Sequence, residues 1–276
     1  MHQLTGTAFE HLLRLELQRL NPFADPGHCV TTHAVDLAES TVRIGGWISI
    51  GTVLVPSPSG RGFATAYSES QSPVEDVKML RIALQNAEDR GRDYAENGIV
   101  THNLLGSCWL TAKIIGSFRA GSRGGLYSVN IPFEFPSIDS NGLSDIAAMF
   151  AAIQPDHFRA MQRCLLRPTF RCNYPIGTNQ PDFVIDDMII DVKCTARKSL
   201  DRRDVDQLLF YYALAKMYDF DTGEKNIEIN RLAIYFARFA ELFVIDVRTD
   251  FPPDRVTKFL DWFAQKKLGR RYVKQA

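Results

Sequence analysis

Asp182, Asp191 and Lys193 are two acids and an amine spaced so that one short hairpin brings all three to a single face. They lie in Pro181-Asp182-Phe183-Val184-Ile185-Asp186-Asp187-Met188-Ile189-Ile190-Asp191-Val192-Lys193, where two runs rich in Val, Ile and Phe flank an Asp pair. Asp tolerates the positive φ that a two-residue hairpin loop demands. With Asp186 and Asp187 as the loop, Ile185 faces Met188, Phe183 faces Ile190 and Asp182 faces Asp191. Side chains alternate between sheet faces, so Phe183, Ile185, Met188, Ile190 and Val192 form one apolar face. Asp182, Val184, Ile189, Asp191 and Lys193 form the other. The expectation is one face for the core and one for chemistry.

Carboxylates opposed across a strand pair have Cβ atoms ~5 Å apart and repel one another. A hard divalent ion such as Mg²⁺ or Mn²⁺ neutralises them, with water and a substrate phosphate completing its shell. Lys193, on the same face, can orient or deprotonate an attacking water or hold a phosphate oxygen. Metal-assisted phosphodiester hydrolysis is the chemistry this spacing suits.

Pro181-Asp182 followed by Asp191-Val192-Lys193 resembles the signature of the PD-(D/E)xK nuclease superfamily. Gln207-Leu208-Leu209-Phe210-Tyr211 resembles the Q-x-x-x-Y element of its RecB-like branch. The resemblance covers roughly residues 169 to 247. It implies a restriction-endonuclease-like α-β-β-β-α-β core and a nuclease acting on DNA rather than RNA. It also implies that Asp182 and Asp191 bind Mg²⁺ or Mn²⁺, that the Val192 main-chain carbonyl adds a ligand, and that Lys193 assists the nucleophilic water. Gln207 and Tyr211 support them. Many members place a Glu or His on an earlier helix, and Glu10, in Thr5-Gly6-Thr7-Ala8-Phe9-Glu10-His11-Leu12-Leu13, is similar to that pattern and is the expected third ligand. Glu134 and Asp156-His157 are closer in sequence but lack a supporting pattern.

A second reading makes the same fold a catalytically inactive module that binds nucleic acid or a protein partner. A third, cysteine hydrolase chemistry through Cys108 and His102, has no supporting spacing.

The elements that must hold these residues are legible from periodicity. Gln207 and Tyr211, four residues apart, stack on one face of a helix spanning about Asp201 to Met217, and an amide on a buried helix side needs partners. Helices are also predicted over Thr7 to Leu20, Val74 to Ala95 and Arg255 to Gln265, and mostly helix over Leu143 to Leu166, broken at Pro155. Leu104 to Phe118 is a further apolar stretch. Strands are predicted over Val42 to Val55, Leu126 to Phe135, Thr169 to Ile176, Arg231 to Arg238 and Leu242 to Arg248. Breaker-rich loops lie at Pro56 to Gly62 and Ala120 to Gly125. The order implies an α/β fold, a mixed β-sheet flanked by helices. Residues 1–165 are expected to be an N-terminal helix plus an insertion or accessory lobe, available for a protein partner or homo-oligomer contact, and residues 166–276 the nuclease-like core.

The chain has 276 residues, 45% of them hydrophobic, enough for a substantial core. Lys plus Arg and Asp plus Glu are 32 each, so no global field draws it to nucleic acid and any attraction is local. Arg197, Lys198, Arg202 and Arg203 beside the hairpin, opposed only by Asp201, can hold phosphates without reading bases. Lys266, Lys267, Arg270, Arg271 and Lys274 form a second basic group near the end. Five cysteines form no C-x-x-C pair, which points away from zinc and disulfide frameworks. With no charged-then-apolar leader and no apolar run near ~18 residues, the expected setting is cytoplasmic, without membrane contact.

Overall fold

A computed structural model of the chain describes residues 2–25, 73–112, 140–171, 180–222 and 224–268. The strands expected at Val42 to Val55 and Leu126 to Phe135, the loops at Pro56 to Gly62 and Ala120 to Gly125, and Glu134 lie outside them, as do Arg270, Arg271 and Lys274. The chain divides into two compact units, Met1–Arg19 with Cys29–Ala151 and Leu20–His28 with Ala152–Ala276.

The first unit is helical in its described residues: α1 (His2–Leu20), α2 (Pro73–Asn97), α3 (residues 102–112) and α4 (Ser140–Ala151). Ala8, Leu12, Tyr94, Leu104, Leu105, Trp109, Leu143 and Ile146 form its core. Gly142 sits where a Cβ would lie 2.4 Å from Trp109 Cη2, so only glycine leaves room for the indole against α4. Glu16, 5% exposed, is stabilised by the Tyr94 hydroxyl, which donates at 2.5 Å, and by Arg19, which donates from Nε at 2.7 Å and from Nη2 at 2.8 Å.

The second unit holds a five-stranded mixed sheet: β1 (Cys164–Leu166), β2 (Phe183–Ile185), β3 (Met188–Lys193), β4 (Arg231–Phe236) and β5 (Glu241–Asp246), in that spatial order. Only β3 and β4 are parallel, and the connection between them carries α5 (Arg202–Met217), as parallel neighbours require a crossover. The other neighbours are antiparallel. A helical turn, α6 (Val247–Asp250), and α7 (Pro253–Leu268) follow. Leu208, Tyr212 and Leu214 of α5 pack on Val184, Ile189, Leu232 and Ile234 of the sheet, with Leu260 and Phe263 of α7 in the same cluster. On the opposite face Phe158 stacks edge-on against Tyr235, ring centroids 4.8 Å apart.

Asn21 ties the segment after α1 into this unit. Its amide donates to the Phe158 carbonyl at 2.9 Å and accepts from the Ala160 N–H at 2.8 Å, while Asp25 bridges to Leu165. The division at 165/166 drawn from sequence would cut β1.

One expectation along the chain is corrected. Cys164–Leu166 is a strand, the tail of no helix: a helical turn at Pro155–His157 ends the helical stretch, and β1 pairs with β2 in the register Leu165 opposite Val184. Most of the strand expected over Thr169 to Ile176 lies outside the described residues; within 169–171 there is an isolated bridge from Phe170 to Phe220. No helix among the described residues is long and apolar enough to cross a membrane.

Candidate functional site

The hairpin register is the one the Asp pair dictates. Phe183 faces Ile190, Val184 faces Ile189 and Ile185 faces Met188, with Asp186 at φ 53° in the loop. Asp186 holds that loop in place, its Oδ1 accepting from the Gln162 N–H at 2.8 Å and the Arg163 N–H at 3.1 Å. Burial raises its pKa, but these N–H groups and that of Met161 outweigh burial and hold the carboxyl below its usual range. Asp187 accepts from Arg231 Nε at 2.7 Å. Both loop acids are structural.

The division into one core face and one chemical face does not hold as expected. Both faces of β2 and β3 are buried, because α5 covers the face that carries Val184 and Ile189. The polar side chains gather at one end of that face, where β2 begins and β3 finishes. There Asp182 Oδ2 accepts the Val192 N–H at 2.8 Å. Asp191, 4% exposed, accepts from Gln207 Nε2 at 2.9 Å on Oδ1 and faces Lys193 Nζ at 2.9 Å on Oδ2. Lys193 also donates to Gln207 Oε1 at 3.0 Å and lies 3.1 Å from Asp204 Oδ1. Gln207 Nε2 further donates to the Tyr211 hydroxyl at 2.7 Å. Tyr211 is therefore both a core aromatic, 3% exposed, and the anchor of the amide that touches acid and lysine.

Asp204 escaped the sequence reading, which sought a third acid upstream of the hairpin. Its signal was present: Asp204, Gln207 and Tyr211 stand at i, i+3 and i+7, one stripe of α5.

Two carboxylates, Asp191 and Asp204, share the Lys193 ammonium, with Asp182 close enough to act on Asp191 by its charge. Burial and the charge of Asp182 push the Asp191 carboxyl up to about 7, against the pull of Lys193. Burial alone would lower the Lys193 pKa, but Asp191 and Asp204 outweigh it and raise it. Both groups move in the direction that takes up positive charge. With its pKa raised, Lys193 is a hydrogen-bond donor to Asp191, Asp204 and Gln207.

The remaining candidates are placed as follows. Glu10 lies on α1 in the first unit, its Oε2 3.8 Å from Arg14 Nη2. Asp156 is exposed and faces Arg159 at 3.3 Å, while His157 packs against Tyr235, on the sheet face opposite Asp191. Cys108 is buried, and burial pushes its thiol up to about 12; six helical residues away, exposed His102 is on another side of α3, so the pair is not a nucleophile and base. Arg197, Lys198, Arg202 and Arg203 are all exposed; Lys198 pairs with Glu241, and Arg202 Nε lies 3.6 Å from Asp206.

Comparison of the chain with protein-family models, with curated proteins and with solved structures yields no match.

Among the described residues no group of three or more His, Cys, Asp or Glu converges in the manner of a closed metal cage. The donor set nevertheless fits a hard divalent ion of the kind that one or two carboxylates hold and water and phosphate complete. Asp182 and Asp191 supply the carboxylates, and the repulsion of the Asp182 charge on buried Asp191 is what a cation between them would relieve.

Proposed function

We propose that the protein is a divalent-metal-dependent nuclease that hydrolyses phosphodiester bonds, DNA in preference to RNA, on a PD-(D/E)xK-like core. The single observation that carries this reading is the buried Asp191 beside the charge of Asp182, with its Oδ2 facing the Lys193 ammonium that Asp204 also holds. A fold that merely needed a stable core would gain by replacing such a cluster with apolar side chains. A divalent cation arriving from outside would offset that cost. The succession β1, β2, β3, α5, β4, with β4 returning parallel to β3, supports the reading, because it is the strand and helix order the resemblance implies.

Asp182, Asp191 and the Val192 main-chain carbonyl would hold Mg²⁺ or Mn²⁺. The ion, when bound, supplies Lewis-acid stabilisation of charge on the phosphoryl oxygens. Gln207, fixed by Tyr211, locks the orientation of Asp191 and Lys193. Lys193 donates to the attacking water or to a phosphate oxygen and so fixes the line of attack. Arg197 and Arg203, exposed beside the site, hold flanking phosphates.

The test is incubation with linear, circular and single-stranded DNA and with RNA, with and without Mn²⁺. Wild type is expected to cleave DNA only with the metal, and Asp191→Ala to lose at least ~10³-fold in rate, as expected when a principal electrostatic contribution to catalysis is lost. Equal cleavage by the two proteins removes the assignment.

A further inference from the structure

Asp204 takes no part in the roles given above, yet each of its oxygens has its own partner. Oδ2 accepts the Asp201 N–H at 3.2 Å, and Oδ1 lies 3.1 Å from Lys193 Nζ. An ammonium has three donors, and Asp191 Oδ2, Asp204 Oδ1 and Gln207 Oε1 account for all three. One Asp191 oxygen is thus taken by the chain's own cation, which any incoming ion must compete with. If Lys193 lets go of Asp191, two oxygens on α5 still hold it within 3.1 Å.

We infer that Asp204 is a positioning residue that receives Lys193 when Asp191 turns its oxygen to a divalent cation, keeping the ammonium beside the ion as a donor to substrate instead of as its rival. The inference rests on the nuclease reading and adds to it the residue that decides between internal and external cation. Its position in the first turn of α5 suits the role, because the backbone there is set by the helix start and does not depend on the hairpin.

The experiment is calorimetric titration of the full chain with MnCl₂ in four forms: wild type, Asp204→Asn, Lys193→Met and the double variant. Asparagine keeps an oxygen acceptor for the Asp201 N–H while removing the charge that faces the lysine. Asp204→Asn is expected to weaken Mn²⁺ binding roughly tenfold when Lys193 is present, a coupling usual for contacting residues. With Lys193→Met the same change is expected to alter affinity by less than about twofold, since there is no ammonium left to draw away. Equal weakening in both backgrounds overturns the inference, because Asp204 would then act through its own charge or as a ligand. No weakening in either background overturns it as well. Absence of Mn²⁺ uptake by wild type sinks the nuclease reading and this inference together; uptake without any effect of Asp204 sinks only the inference. Circular dichroism melts check that each form is folded, and Asp204→Ser supplies the same comparison if the asparagine variant is not.

Discussion

Asp191 is the residue whose cost to the fold is plainest. In the unfolded chain its carboxyl titrates near ~4, whereas burial and Asp182 bring it up to about 7 in the folded protein. Between those values the folded state binds the extra proton, so stability contributed by this group falls as pH rises through the window. Asp191→Asn removes that dependence. Measured by urea unfolding without metal, the stability of the variant relative to wild type is expected to rise by about 1–3 kcal/mol from about pH 5 to about pH 8. A difference that stays flat with pH would contradict the account. Mn²⁺ affinity carries the same proton: it should fall by up to ~10-fold per unit below about pH 7, with proton release on binding visible as buffer-dependent heat. Spacing makes Asp182, Asp191 and Lys193 legible as one hairpin face and Gln207 with Tyr211 as one helix face, while that the two faces belong together was implied only by the resemblance. Asp204 shares the α5 stripe of Gln207 and Tyr211, but only the docking of α5 on β3 shows that the lysine reaches the first turn of that helix.

The hairpin is the element on which the site depends, and its loop is held from outside. Asp186, at φ 53°, accepts backbone N–H groups of residues 161–163, so β2 and β3 are locked to the segment preceding β1. Asp186→Ala removes those acceptors and places a residue with a poor left-handed preference in the loop. A loss of about 2–4 kcal/mol in unfolding free energy is expected, against less than half of that for Asp186→Asn, which keeps an acceptor and tolerates the conformation. Comparable losses for the two would show that the loop acid does not act through these bonds. The hairpin was legible because turn chemistry and alternation are local. Cys164–Leu166 was not: a three-residue apolar run fits helix or strand equally, and its pairing partner lies nearly twenty residues on. The burial of both sheet faces was hidden for a similar reason, as Val184 and Ile189 beside two acids read as a mixed face until α5 covers them.

Taken whole, the molecule has no net charge, so binding of a polyanion rests on the few cations beside the site. Lys198 and Arg202 already face acids, which leaves Arg197 and Arg203 as the contributors with most to give. Replacing both by Ala is expected to raise KM for DNA while leaving kcat within about twofold. The same change is expected to flatten the salt dependence of binding by about 1–2 in the log–log slope, roughly 0.9 for each phosphate that no longer meets a cation. An unchanged slope would move the nucleic-acid path elsewhere on the protein. That Leu20–His28 belongs with the later unit depends on Asn21 and Asp25 meeting residues far along the chain, contacts that no local sequence pattern announces. The central claim, a divalent cation held by the hairpin acids, is tested most directly by anomalous diffraction from crystals of the full chain soaked in Mn²⁺. The account predicts a manganese peak within about 2.5 Å of carboxylate oxygens of both Asp182 and Asp191; ordered crystals with no peak between those two side chains would contradict it.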